Sequence, residues 1–498
     1  MLAKEKTTAL GFAQAEKDLL AKVYLNRRGI VTRATFRSPV YQGDKGILAG
    51  HPARAGLVIP SRIFGFCGGS HQLAAAMALE HAWKAELPPN ALVLRSVAQA
   101  AEILQNTSRW FYTTFAPGLA DPSFSDKPLF AEASRRFTAF KGASFRAGIM
   151  AGTFPMALYA LFAGQWPHSN FIVPGGVSTS VQPKELTRAF SLLDQYCREW
   201  LEPAWLGCSL ERYLEIRDWA GLMGWLEEKG EHFNSDFGLF LRVALEYGLD
   251  ELGRVEPHLL SYGAFHNKNG YFAVTPENHL RSVQFPGAYF DGNMLHSLGH
   301  EWLAESLRDK KEIHRLGYKG EPVEVGPVAR MLIQGKHAIQ YNGHHPGLFA
   351  GVYAHKSASV FTRTWARMHE ACELVNRMRA WLSQLEVGAP CQAAVREQDG
   401  WGLGFTEAPR GALAHFVELE GGKISNYTIL QPTMLNLQSG EALGKTSPMA
   451  NALKDTEIKN LSRPIEVGLI ARSFDACLSC DVELYKNRSE KEIGKVRV

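Results

Sequence analysis

The stretch that most constrains this 498-residue chain lies close to its end: Arg472-Ser473-Phe474-Asp475-Ala476-Cys477-Leu478-Ser479-Cys480-Asp481-Val482-Glu483. A Cys-x-x-Cys sets two thiols on one side of a tight turn, within reach of one soft metal ion. Alone, such a pair is shared by many metal and redox sites. A second stretch stands near the other end: Arg62-Ile63-Phe64-Gly65-Phe66-Cys67-Gly68-Gly69-Ser70-His71. Seven cysteines (67, 197, 208, 372, 391, 477, 480) are an odd number in a large chain, which argues against a disulfide framework. The four outside the two stretches read as small buried apolar residues.

The net charge of +4 is spread along the chain without a Lys/Arg block, so no nucleic-acid partner is expected. The opening Met1-Leu2-Ala3-Lys4-Glu5-Lys6 lacks the apolar core of a signal peptide. One uncharged run, Ala147 to Pro183, contains a part near membrane-span length, Ala147–Trp166, interrupted by Gly148, Gly152, Pro155 and Gly164. It reads as a buried helix of a large protein, and no direct membrane span is expected.

Periodicity gives the elements. Residues 19–38 read as a β-hairpin turning at Asn26–Gly29. Helices are expected over 71–87, 93–113, 131–163, 181–202, 209–229, 358–386 and 447–455, with short strands or irregular chain at 255–295. In the 358–386 helix, Trp365, Met368, Cys372, Val375, Met378 and Leu382 fall at three- and four-residue steps, a core-facing stripe. Phe171-Ile172-Val173-Pro174-Gly175-Gly176-Val177 predicts a tight chain reversal with little room for side chains. Leu413–Leu419 and Ile424–Leu430 predict a second hairpin around Gly421-Gly422.

The two cysteine stretches together resemble the metal-binding motifs of the large subunit of nickel–iron hydrogenases. That family pairs R-x-C-G-x-C-x-x-x-H near its start with D-P-C-x-x-C-x-x-H near its end. Further segments match: Tyr41-Gln42-Gly43-Asp44-Lys45-Gly46-Ile47-Leu48-Ala49-Gly50 to F-R-G-x-E-x-I-L-x-G, Glu324–Arg330 to E-V-G-P-L-A-R, Thr406–His415 to E-A-P-R-G-x-L-x-H, and Pro432-Thr433 with Asn436 to P-T/S-T-W-N. The resemblance runs from about residue 14 to the C-terminal stretch. It implies an α+β, mainly α fold: a helical core with small mixed β-sheets near both chain ends. It also implies one interwoven domain over residues 1–498, because the family's metal site needs both ends of the chain.

By position, the resemblance makes Cys67 and Cys480 the thiolates that bridge nickel and iron, and Cys477 a terminal nickel ligand. Phe64 stands where the other terminal ligand should be. Arg410 matches the guanidinium held over the open metal position, and Asp475 its carboxylate partner; a structural Arg–Asp pair is the plainer reading. Glu16 matches the family's proton-relay glutamate, although Gln14 and Lys17 replace its usual neighbours; otherwise it is an exposed acid in a charged leader. His71 either faces an iron–sulfur cluster of a partner or finishes a helix start. Lys45 replaces a magnesium-binding glutamate and Glu483 the histidine that ligates the same ion, so magnesium is not expected, and a Lys45–Glu483 salt bridge is expected in its place.

The resemblance implies a Ni–Fe centre with nickel in question, its iron carrying diatomic ligands. The implied partners are an iron–sulfur small subunit and hydrogenase maturation proteins. The implied location is cytoplasmic, or membrane-associated or exported through a partner. Three functions follow: dihydrogen oxidation or evolution at an atypical site, a non-catalytic maturation scaffold carrying the iron fragment, or a metal-free structural subunit of an electron-transfer complex. Losing one of four soft ligands favours iron over nickel.

Overall fold

The computed structural model describes residues 19–37, 47–267, 270–274, 280–283, 288–298, 304–305, 307–308, 317–318, 320–342, 347–437, 445–476, 480–486 and 492–497. The elements that position the site are, in chain order, strands β1 (Leu19–Leu25) and β2 (Val31–Arg37), and helices α1 (Ala55–Ile63), α2 (Gly68–Trp83), α3 (Pro89–Trp110), α4 (Ala143–Ala151), α5 (Thr153–Ala163) and α6 (Val360–Leu382). Strands β3 (Gly400–Ala408), β4 (Gly411–Glu420) and β5 (Lys423–Leu430), helix α7 (Ile465–Phe474), and strands β6 (Cys480–Lys486) and β7 (Glu492–Arg497) follow.

The first hairpin forms as its alternation predicts. Ala21, Val23 and Leu25 are buried while Lys22 and Tyr24 between them are half-exposed. Asn26 closes the turn, its side-chain oxygen accepting the N–H groups of Arg28 and Ile30 at 2.8 and 3.0 Å. The chain ends do not each carry their own sheet. They share one, in the order β7–β6–β1–β2, in which β6 runs parallel to β1 with Leu19 opposite Cys480 and Val23 opposite Leu484. Leu484 is fully buried, and Tyr485 stacks on Tyr24 with ring centroids 5.4 Å apart.

A second sheet, β3–β4–β5, lies flush on α2. The glycines of β3 make this possible. A Cβ on Gly402 would stand 1.8 Å from the Ala78 carbonyl oxygen, and one on Gly404 would stand 2.0 Å from that of Ala74. The facing turns of α2 are alanine-rich for the same reason: two backbones approach closely.

Helix α6 is the buried axis, started by a capping box between Ser359 and Thr362. Its expected stripe is fully buried, but so is most of the opposite face, including Arg363, Arg367, His369 and Glu370. These charges are tolerated because partners reach them. Glu324 bonds Arg363 at 2.8 Å, while Arg330 bonds Glu370 at 2.5 Å and Glu407 at 2.8 Å. The uncharged run forms α4 and α5, broken at Gly152. Among the described residues, this is the stretch long and apolar enough to cross a membrane by composition. Gly148 packs it against the ring of Tyr112, where a Cβ would come within 1.9 Å.

Candidate metal centre

Helix α1 ends at Phe64, a short 3-10 turn runs over Gly65–Cys67, and α2 begins at Gly68. The two helices meet tightly. A Cβ on Gly68 would lie 2.8 Å from the Ser61 carbonyl oxygen, and one on Gly69 would lie 2.7 Å from Glu102 Oε2. Glu102, from α3, takes the N–H groups of Gly69 and Ser70 at 2.9 Å each and the Ser70 hydroxyl at 2.5 Å. A carboxylate thus closes the positive end of the helix that leaves Cys67. Burial pushes Glu102 up from the usual carboxylate range, and the Ser70 and Gly69 donors pull it back. Cys67 is buried at this junction. Phe64 is 2 % exposed and stacks on His71, with ring centroids 4.4 Å apart and planes 19° apart.

The second motif leaves α7 at Asp475, a left-handed residue with φ 52°. Arg410, in the turn between β3 and β4, donates its Nε–H to the Asp475 carbonyl oxygen at 3.0 Å and lies 3.3 Å from Oδ2. Two glycines fix that turn. Gly411 (φ 134°) and Gly326 (φ 122°) lie back to back, and a Cβ on Gly411 would stand 2.6 Å from the Gly326 nitrogen. The Glu324–Arg330 segment is therefore a backbone splint for the arginine. Burial raises the Asp475 carboxyl, and Arg410 and then Arg367 pull it down. Arg367 donates to the Ser473 carbonyl at 2.7 Å and lies over the Trp110 ring, and burial lowers it to about 10.

Glu16, Lys45 and Cys477 lie outside the described residues, as do the side chains of Cys480 and Glu483. The expected Lys45–Glu483 bridge falls there too. By backbone register Glu483 stands between Lys22 on β1 and Lys495 on β7. The parallel β1–β6 pairing brings the strand starts Leu19 and Cys480 side by side. Glu16 and Cys477 each precede one of these starts by three residues in sequence. Arg410 and Asp475 meet as expected. His71 does not face an open surface: it is buried between Phe64 and His415, with its Nδ1 2.9 Å from His415 Nε2.

Sequence reading assigned no role to Glu102, His415, Tyr427 or Arg367. His415 carried a signal, as the last residue of the matched Thr406–His415 segment. The others sit on apolar elements where a lone polar residue is not distinctive.

Among the described residues no three His, Cys, Asp or Glu side chains form a metal-ligand group, and Cys67 is the one thiol of the proposed set whose side chain is described. The donor chemistry is nonetheless divided. By the resemblance a terminal nickel thiolate would be expected where this chain has Phe64, and a buried phenyl ring stacked on His71 does not fit a four-thiolate nickel shell. Cys67, which the resemblance makes a bridging thiolate, is buried.

Comparison with known proteins agrees with this architecture. The pattern of the nickel-dependent hydrogenase family matches residues 43–122 and 315–483. The large subunit of the periplasmic [NiFeSe] hydrogenase of Desulfomicrobium baculatum is 22% identical over 93% of this chain and 92% of that protein. The uptake hydrogenase large subunit of Rhizobium leguminosarum bv. viciae is 24% identical over 97% and 96%. Among solved structures, H2-activated Dm. baculatum [NiFeSe]-hydrogenase superposes with a TM-score of 0.71 at 22% identity, covering 90% of this chain and 94% of that one. The as-isolated oxidised Ni-Fe-Se hydrogenase of D. vulgaris Hildenborough gives 0.69 at 21%, with coverage of 90% and 94%.

Proposed function

This chain belongs to the nickel-dependent hydrogenase family, and on that footing we propose that it is a hydrogenase-like large subunit whose thiolate site holds iron in preference to nickel. Phe64 is the observation that carries this reading. It puts carbon where a terminal nickel thiolate would stand, while the bridging position Cys67 remains a buried thiol. Cys67 and Cys480 would hold the iron, with Cys477 as the third thiolate. Iron with diatomic ligands, once bound, supplies redox chemistry for cleaving or forming dihydrogen. Arg410, aimed by Asp475 and by the Gly411–Gly326 contact, keeps a cation buried beside the C-terminal motif. Glu16 is the candidate proton relay, and Lys45 cannot serve magnesium while protonated. Electrons would pass to an iron–sulfur small subunit, with maturation proteins delivering the iron fragment. Relatives named periplasmic and uptake enzymes favour export or membrane association through that partner over a cytoplasmic site.

The closed position at Phe64 also supports a second reading, a maturation scaffold that carries iron without turning over. Anaerobic purification followed by metal analysis tests the first claim. Iron with little nickel is expected, and stoichiometric nickel with full dihydrogen oxidation overturns it. A co-purifying subunit rich in cysteine motifs, together with dihydrogen-dependent dye reduction, selects the redox subunit; iron without either selects the scaffold.

A further inference from the structure

The outward face of α4 and α5 is apolar and open to solvent. Only Gly152 separates the two helices, and its φ of −62° and ψ of −14° stay helical, so their outer residues fall in one line. That line steps by four and three residues through Ala143, Ala147, Met150, Phe154, Ala157 and Leu161, over about 27 Å. Met150 is 63 % exposed, and Ile149 beside it 36 %. Thr153 shares the face but turns its hydroxyl back to the Met150 carbonyl oxygen at 2.6 Å. The inner face is fixed in the protein. Ser144 Oγ donates to Asp236 at 2.6 Å, and Gly148 lies on the Tyr112 ring. A helix held along one side in this way cannot cross a bilayer, but its outer side can lie on one.

The turn that leads into α4 adds a bulky anchor. Phe140 is 70 % exposed and holds φ 63°, a left-handed conformation that is costly for an aromatic residue. The turn imposes it. The Thr138 carbonyl accepts the N–H groups of Lys141 and Gly142 at 3.3 and 2.8 Å, and a Cβ on Gly142 would stand 2.0 Å from the Arg136 carbonyl oxygen. Charge around this face has one sign. From Ala133 to Pro183 the sequence holds Arg135, Arg136, Lys141 and Arg146 and no Asp or Glu. Arg135 and Arg136 bind Glu132, whereas Lys141 and Arg146 are exposed beside Phe140 and Met150. An open apolar patch marks a contact with protein or with membrane. The side-chain chemistry favours membrane. A protein partner makes about one hydrogen bond per 100–200 Å² of interface, and apart from its cations this face offers no free donor or acceptor. Aromatic and aliphatic side chains edged by Lys and Arg alone match an anionic headgroup layer.

We propose that the outer face of α4 and α5 rests on an anionic membrane surface, with Phe140 and Met150 among the headgroups and Lys141 and Arg146 against lipid phosphates. This does not depend on which metal the centre holds. Flotation of the full chain, with any subunit that co-purifies, tests it on vesicles of phosphatidylcholine alone and of phosphatidylcholine mixed equally with phosphatidylglycerol. Binding to the mixed vesicles alone is expected. Phe140→Asn with Met150→Glu should abolish it, asparagine being at ease in the left-handed turn. Lys141→Gln with Arg146→Gln should weaken it about thirtyfold, the equivalent of about 1 kcal/mol for each charge. Absence of binding to the mixed vesicles, equal binding to both kinds, or unchanged binding by either variant overturns the proposal. So does a chain that ignores both vesicles and loses a co-purifying subunit on Phe140→Asn with Met150→Glu, since the face is then a protein interface. If the apolar variant does not fold, the charge variant still decides.

Discussion

On the proposed reading, Phe64 lacks a soft donor and adds a flat apolar surface, and mutation separates the two effects. Phe64→Cys restores a thiol but empties part of the stack on His71, a loss of about 3 kcal/mol by analogy with other large-to-small core changes. The variant should retain more nickel than the parent while melting lower, and Phe64→Leu should melt lower without gaining nickel; metal analysis beside a thermal scan checks both. His415 makes a second prediction. Its folded pKa of about 3 lies below the ordinary 6.5, so the unfolded chain binds the extra proton between those values. Its contribution to stability is full above about pH 6.5 and falls as the pH drops toward the folded value. Going from pH 7 to 5 should cost about 2 kcal/mol from this group. In denaturant titrations, His415→Gln should flatten that acid limb relative to the parent. At this scale the pairing of Arg410 with Asp475 was legible from the motifs. Their surroundings were not, because Tyr427 and Glu102 act through contacts with residues remote in sequence.

The strand β6 gives a test at the level of elements. Leu484 is fully buried opposite Val23, so Leu484→Ala should cost about 2–5 kcal/mol. Truncation after Glu483 should cost more, since it removes Leu484, Tyr485 and all of β7 and leaves Val23, Tyr24 and Leu25 of β1 without their β6 partners. Denaturant midpoints of the full and truncated chains measure the difference. The Glu324–Arg363 pair makes a different kind of prediction. Glu324→Gln leaves a buried guanidinium without its counter-charge and should cost about 3–5 kcal/mol, whereas Glu324→Leu with Arg363→Met should come close to neutral. Hairpins and amphipathic helices were legible from alternation and spacing. Strand β3 was not, because Gly400, Gly402 and Gly404 read as loop when the α2 backbone they accommodate is hundreds of residues away. The all-round burial of α6 was hidden too, since charged residues on its second face look solvated until Glu324, Arg330 and Glu407 are brought to them.

For the whole molecule, the pairing of β1 with β6 carries a consequence in time. Residues 19 and 480 must both exist before this sheet can form. At the usual ribosomal pace of about 5–20 residues per second, β1 emerges roughly half a minute to a minute and a half before its partner strand is made. For most of that interval the nascent chain carries Cys67 but neither Cys477 nor Cys480, and β1 lacks its β6 partner. Chains stalled before residue 480 should protect residues 19–25 only as far as the β1–β2 hairpin does in pulsed hydrogen exchange, and released chains should protect them further, together with 480–486. The shared sheet is thus closed late: residues 19–25, made early, wait for residues 480–486 before the parallel pairing can form.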